Sequence, residues 1–571
     1  MKILMGYIKK CKWSMVLGPL FKFLEAISEL MNPLIVAKII DEGAKQGLSV
    51  ILKYGAIVVV VNILAFIFSV LGSKFSALAS TKIAKEMRHD VFKKLGEFSH
   101  FELDKFGTAS MVNRITNDIN QVENAIGIFM RMLLRVPLLL IGAFVLSLII
   151  NIKMSLVFLI LIPIVVVVLW IYMKKTSPYF TIIRDKLDKI SKVTKENLSG
   201  TRVIRAFNKQ EDEQKRFGGV LDDYTHTSLK VAKVSALLNP VVLLIVDLAI
   251  IAIISVGAWQ INIGGMTQGE VIALIDYVSI ITISLLLLAH IIVIFVRTIA
   301  SLKRVNEILI TDIVVKEKEN ARKITNQEYD ALLEFKDVCF NYSLDAKEKS
   351  FIKDLSFKVM PGQTIGIIGG TGSGKTTIAN LITRFYDATQ GEVLFKGRNV
   401  KDYSLKQLRD EISVVQQRSV LFSGSLRENM KIRDENATDE EIVEALKISQ
   451  AWPFVSEWRN GLDYQIMAGG KNVSGGQMQR LTIARAIIGK PELLILDDSS
   501  SALDFLTDSR LRRDLKKLNC TYVYISQRAT SIKGADLIIV LDNGDVVGMG
   551  KHSDLMKNCA IYREIYESQA K

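Results

Sequence analysis

Apolar residues dominate the first half of the chain in runs longer than a soluble core requires. Tyr54–Ser73, Met154–Met173 and Tyr277–Val296 each hold about 20 residues without a formal charge, long enough to cross a bilayer as a helix. Val136–Ile152 is shorter but adequate once its ends are extended, and Val234–Met266 contains a further span interrupted only by Asp247. Trp13–Ile40 makes a sixth, despite Lys22, Glu25 and Glu29. The stretches 74–135 and 174–233 between these runs are rich in Lys and Arg, which places them on the cytoplasmic side. Their apolar residues recur at helical spacing, as in Ile182, Leu187, Ile190, Val193 and Leu198. Each is expected to prolong two membrane helices by roughly 40 Å at the usual helical rise. Turns are expected near His100–Gly107 and Asn208–Gly218.

Past Arg297 the apolar character fades. Residues 311–331 are polar and charged and read as a linker, and from 332 to 571 short apolar strands alternate with helical segments. The expected architecture is an all-α membrane domain of six helices over residues 1–310, then an α/β domain over 332–571. Residues 1–12, with Lys2, Lys9, Lys10 and Lys12, read as an amphipathic lead-in lying on the membrane.

Composition narrows the picture. Hydrophobic residues make up 49% of the 571, and the net charge is +14. In a chain with membrane spans that charge belongs to cytoplasmic segments facing anionic lipid, so no nucleic-acid partner is expected. Cys11, Cys339, Cys520 and Cys559 have no paired spacing, which argues against a disulfide framework or a zinc site. Within the first span Lys22, Glu25 and Glu29 fall at i, i+3 and i+7 and share one helix face. Charges at membrane depth face water or one another. These three either line a substrate cavity, or Lys22 and Glu25 form an internal pair. His290 is expected to hydrogen-bond between helices.

The chemistry is concentrated in the second domain. Gly369-Gly370-Thr371-Gly372-Ser373-Gly374-Lys375-Thr376 fits G-x-x-x-x-G-K-[ST], between the apolar strand Thr364–Ile368 and a helix opening at Thr377. Glycines let backbone N–H groups close round phosphates at a helix N-terminus. Lys375 would reach the β/γ-phosphates and Thr376 a Mg²⁺ ion. Leu493–Asp497 reads as a buried strand ending in a carboxylate suited to the same metal. Ser474-Gly475-Gly476-Gln477 opens another helix, whose N–H groups could hold a γ-phosphate.

With Val473 before it and Arg480–Ala486 after it, that last stretch resembles the signature of ABC transporters. Leu95–Phe106 and Val112–Asp118 are similar to the first intracellular loop of ABC exporters, and Glu196–Phe207 to the second. The resemblance covers essentially the whole chain, and implies an ABC exporter half-transporter using ATP and Mg²⁺. It makes Tyr342 the aromatic that stacks on adenine and Gln417 the residue that meets Mg²⁺ and the attacking water. Ser501–Asp504 becomes the D-loop, and the cytoplasmic tips become coupling helices gripping the nucleotide domains. It also implies a multi-pass plasma-membrane protein with its nucleotide domain in the cytoplasm.

Departures from the family pattern shape the functional expectation. The catalytic Glu is replaced by Asp498, shorter by about 1.5 Å of reach, and the switch His by Gln527, which cannot carry a proton near neutral pH. Misplacing a catalytic group by about 1 Å can cost on the order of a hundredfold. Ala468 stands where the family often has Glu. ABC sites are composite, so an impaired own site beside an intact signature points to a heterodimer. Its second half-transporter would supply the Glu and His of the competent site. The expected substrate is a hydrophobic or amphipathic compound of the multidrug type, within a lipid membrane. The alternatives are a dedicated peptide, lipid or haem exporter, and an ATP-gated channel or regulatory subunit.

Overall fold

A computed structural model describes residues 2–318, 329–343, 351–499 and 501–570. Much of the expected linker, residues 319–328, lies outside the described residues. The chain forms two units: Met1–Gly96 with Ala109–Thr311, and Glu97–Thr108 with Asp312–Lys571.

The first unit is helical. Its elements are α1 (Lys2–Lys10), α2 (Lys12–Gln46) and α3 (Leu48–Glu97), then α5 (Thr108–Asn113), α6 (Ile119–Met132) and α7 (Arg135–Ile150). The short α4 (His100–Phe106) belongs to the second unit. The long α8 (Ile152–Ser199), short α9 (Thr201–Ala206), and long α10 (Gln210–Asn262) and α11 (Gln268–Ile310) follow. Among the described residues, five helical stretches are long and apolar enough to cross a membrane: α3, Thr108–Ile150, α8, α10 and α11. The expected first span, α2, is continuous helix over 35 residues, and Lys22, Glu25 and Glu29 set it apart from the other five. The 50 residues of α3 would span about 75 Å, more than twice a hydrocarbon layer of about 30 Å, so α3 must run on beyond the bilayer.

Small residues let these helices approach closely, as membrane packing requires. A side chain at Gly142 on α7 would collide with Leu30 on α2. The buried Tyr277 of α11 donates its hydroxyl to the Leu30 carbonyl at 2.9 Å. Asp41 fixes the entry to α11, accepting from the Thr267 hydroxyl at 2.6 Å and the Gly269 N–H at 2.8 Å.

Two expectations change here. The second cytoplasmic turn falls at Phe207–Lys209, where Asn208 adopts a left-handed φ of 53°, and not across 208–218. Glu211, Asp212 and Glu213 sit in the first turn of α10, where carboxylates complement the helix dipole. Arg216 pairs with Glu196 at 2.7 Å, and the helix runs on through Gly218 and Gly219. His290 lies exposed on α11 instead of between helices, because the adjacent Ile291 takes the buried face of the helix there.

The second unit is α/β. Its strands are β1 (Leu333–Phe340), β2 (Ile352–Val359), β3 (Thr364–Gly369), β4 (Gln390–Phe395), β5 (Arg398–Asn399) and β6 (Ile412–Val415). They continue with β7 (Gly424–Ser425), β8 (Gln465–Ile466), β9 (Leu493–Asp497), β10 (Thr521–Ile525), β11 (Leu537–Asp542) and β12 (Asp545–Gly550). The main sheet has the order β12-β11-β3-β10-β9-β6, all parallel except β12. Its central strands are almost wholly buried, which is why they read as unbroken apolar runs. A second, antiparallel sheet has the order β2-β1-β4-β5.

Two segments that flank membrane helices in sequence are built into this unit. Ser99 donates from its N–H and hydroxyl to one oxygen of Glu102, at 2.7 and 2.6 Å, which fastens the start of α4. The other oxygen accepts the Val314 N–H at 2.9 Å, and Glu102 is only 1% exposed. His100 stacks on Phe385 with ring centroids 4.1 Å apart. Val315 is buried, the Lys316 carbonyl accepts from Arg384 at 2.9 Å, and Glu317 caps Leu405 at 2.6 Å.

Candidate nucleotide site

In an open parallel sheet, ligands bind beyond the carboxyl ends of the strands. Those ends hold the expected residues here. The glycine loop follows β3, Asp497 and Asp498 close β9, Gln527 follows β10 and Gln417 follows β6. A pocket of about 170 Å³ is lined by Thr371, Gly372, Gly374, Lys375, Thr376, Thr377, Gln417, Asp497, Asp498 and Gln527, together with Phe351. Residues more than 150 positions apart are therefore gathered by strand order alone.

The loop geometry explains its glycines at two positions. Gly372 and Gly374 have φ of 80° and 103°, a region that side chains avoid, and a Cβ at Gly374 would also strike Ile352. Lys375 donates to the carbonyls of Gly369 at 2.9 Å and Gly370 at 2.6 Å. Burial holds its ammonium below the usual lysine range, opposed by Asp497 and Asp498. Burial also raises Asp497, which the Thr376 hydrogen bond and Lys375 counter. Asp498 takes a left-handed φ of 45° with its N–H on the Ile525 carbonyl at 2.8 Å.

These residues suit a magnesium nucleotide. The hydroxyl of Thr376, the amide of Gln417 and the carboxylate of Asp497 are hard oxygen donors. The buried Ser373 hydroxyl has no hydrogen-bond partner among the described residues and is free to meet a phosphate oxygen. Tyr342 lies exposed beside this set, its hydroxyl 2.8 Å from that of Thr377.

Ser474, Gly475, Gly476, Gln477 and Asp504 lie outside that pocket. Ser474 caps the helix Gly475–Ile488: the Gln477 N–H reaches the Ser474 hydroxyl at 3.2 Å, and the Ser474 N–H reaches the Gln477 side chain at 2.8 Å. A side chain at Gly476 would come within 3.0 Å of the Ala502 carbonyl. Asp504 caps the helix Phe505–Leu515 through the Thr507 N–H at 2.9 Å, and this bonding lowers its carboxyl below the usual range.

Three supporting residues carry no motif and were invisible to spacing. Gln479 ties the signature helix to the next loop, donating to Ser501 at 3.1 Å and accepting from the Ala502 N–H at 3.1 Å. Gln569, on the helix Ala560–Ala570, brackets the loop after β10. It accepts from the Ala529 N–H at 2.8 Å and donates to the Gln527 carbonyl at 2.7 Å. Arg135 meets the charged face of α2. Lys22, 6% exposed, donates to Glu25 at 2.7 Å and Ser69 at 3.1 Å, while Arg135 lies 3.6 Å from Glu25 and 2.7 Å from Glu29. Two cations and two carboxylates thus form one neutral network.

Residues 15–285 match the model of the ABC transporter transmembrane region, and residues 352–501 the ABC transporter model. The chain is 34% identical over 546 residues to the ABC transporter ATP-binding protein YfiB of Bacillus subtilis (strain 168), covering 95% of this chain and 94% of the relative. This chain belongs to the ABC transporters. The transporter is also 28% identical over 562 residues to the ATP-dependent lipid A-core flippase of Salmonella typhimurium, across 98% of this chain and 96% of that protein. A bacterial Atm1-family ABC exporter with ATP bound shares its fold, with a TM-score of 0.79, 21% identity and 99% coverage of both chains. The chain is accordingly a membrane protein whose cytoplasmic domain is an ATPase coupled to transport.

Proposed function

We propose that this chain is one half of a heterodimeric ABC exporter for hydrophobic or amphipathic compounds, in the plasma membrane, and that its own nucleotide site is degenerate. The observation that carries the reading is the pairing of Asp498 and Gln527 on the walls of one pocket with Lys375, Thr376 and Asp497. Lys375 and the loop N–H groups bind the triphosphate, and Tyr342 stacks on the base. Mg²⁺, held by Thr376, Gln417 and Asp497, would neutralise charge on the phosphate oxygens. Asp498 stands about 1.5 Å short of where a Glu carboxylate would end, so it orients an attacking water poorly. Gln527 offers a hydrogen bond but no positive charge. The site binds ATP and turns it over slowly. Ser474–Gln477 complete the partner's site, where hydrolysis resets the transporter.

The charges of the first helix enter the same reading. Glu29, with its side chain 36% exposed, is the member of the α2 network open to a cationic substrate, while Lys22 and Glu25 are held inward. Six spans follow if α2 crosses with the other five.

Restoring the family residues tests the assignment. Asp498→Glu with Gln527→His, in the chain purified without a partner, is expected to raise Mg-ATPase at least tenfold over the parent. ATP affinity should stay within about twofold. Robust turnover by the unaltered chain alone would overturn the reading.

A further inference from the structure

The first unit contains a pocket of about 750 Å³, within the ~300–1,000 Å³ range of ligand sites. Its walls come from α1, α2, α6 and α11, among them Leu4, Ile8, Val16, Leu20, Phe129 and Phe295. The only polar side chain on the wall, Thr298, turns its hydroxyl to the Ile294 carbonyl at 2.8 Å. The pocket is open: Val16 is 62% and Leu20 45% exposed.

The helices that supply the wall also carry exposed lysines next to it in sequence. Lys12 shares the α2 face of Met15, Val16 and Pro19, at i+3, i+4 and i+7. Lys9 follows Ile8, and Lys303 follows Leu302, the last wall residue of α11. All three lysines are exposed, and none has a carboxylate partner among the described residues. Three other nearby groups are already engaged. Lys10 pairs with Glu86 at 2.7 Å, Tyr7 donates to Asp90 at 2.8 Å, and Arg304 donates to Asp118 at 2.8 Å. The helix α1 has the form of an interfacial helix, with Leu4 and Ile8 turned to the pocket and Lys9 and Lys10 exposed. The pocket therefore lies where acyl chains meet headgroups, on the side of the Lys- and Arg-rich segments.

We infer that this pocket binds one anionic phospholipid of the cytoplasmic leaflet, its acyl chain against the apolar wall and its headgroup on Lys9, Lys12 and Lys303. A helix of the second subunit would satisfy the wall but leave three cations without an anion. An anionic lipid satisfies both, and the cytoplasmic leaflet supplies it. This site is separate from the nucleotide pocket and does not depend on the degeneracy of Asp498 and Gln527.

The test uses the full-length transporter in vesicles of equimolar phosphatidylglycerol and phosphatidylcholine, with retained lipid counted by native mass spectrometry. The parent is expected to retain phosphatidylglycerol over phosphatidylcholine by about tenfold. Replacing Lys9, Lys12 and Lys303 by Gln, all at exposed positions, should bring that ratio to near one. Leu20→Trp, which fills the pocket from an exposed position, should reduce retention of both lipids, and Val16→Trp provides a second, independent filling. Equal retention in the parent, or a preference unchanged in the charge and filling variants, overturns the site. Absence of retained lipid, together with weakened subunit association in Leu20→Trp, assigns the pocket to the partner subunit and overturns it as well.

Discussion

Replacing Gly475 by Asp is expected to lower the ATPase rate of the assembled transporter by on the order of a hundredfold, the scale of losing one preorganised donor to developing charge. Gly475 is the first residue of a helix whose cap, Ser474 with Gln477, keeps its N-terminal N–H groups ordered and outward. A carboxylate there sets a negative charge against the phosphate those groups serve. The predicted defect lies in the partner's site. Binding of a fluorescent ATP analogue to this chain's own loop should persist, whereas Lys375→Ala should weaken that binding and leave most turnover. If Gly475→Asp left hydrolysis intact and Asp498→Asn abolished it, the two sites would have to be exchanged.

The second large effect is expected at Arg135. Its guanidinium is the only cation the structure sets against Glu29 among the described residues, and it also approaches Glu25. Arg135→Met leaves a carboxylate uncompensated at membrane depth. Removing one partner of a fully buried pair costs about 3–5 kcal/mol, and this pair, with side chains 23% and 36% exposed, is expected to lose less than that. A drop in the thermal midpoint of the purified transporter, partly recovered by adding Glu29→Gln, is the outcome that supports the network. No change in midpoint would mean that these charges are solvated independently. Stimulation of ATPase by cationic compounds, measured in Glu29→Gln alone, separates substrate contact from structure: a changed order of compounds marks contact, an unchanged order marks pairing only.

Much of the nucleotide pocket was legible because its residues are fixed by local rules. A phosphate loop needs glycines at positive φ, as at Gly372 and Gly374, and a buried parallel strand reads as an apolar run ending at its functional residue, as at Asp497. The long helices were equally plain from their hydropathy. What the sequence hid are contacts between distant segments that follow no spacing. Arg135 reads as the ordinary basic end of a cytoplasmic stretch, and only the packing of α2 on α7 brings it to Glu25 and Glu29. Gln569 is one polar residue on a terminal helix, yet it holds the backbone at Gln527. The second cytoplasmic turn ends before Gly218 and Gly219, because acidic residues at the start of α10 and the Arg216–Glu196 pair sustain helix through them.

The ATPase is not a contiguous cassette. Residues 97–108 emerge from between two membrane helices, and 312–318 precede the first strand, yet both pack into the same compact unit as its strands. A fragment begun at Leu332 would lose the ring that covers Phe385, the carbonyl that accepts from Arg384 and the side chain that caps Leu405. Transplanting this motor onto another transporter's membrane helices would therefore mean carrying a piece of the donor's second helix hairpin along with it, so the hairpin tip and the motor are expected to be inherited as a pair.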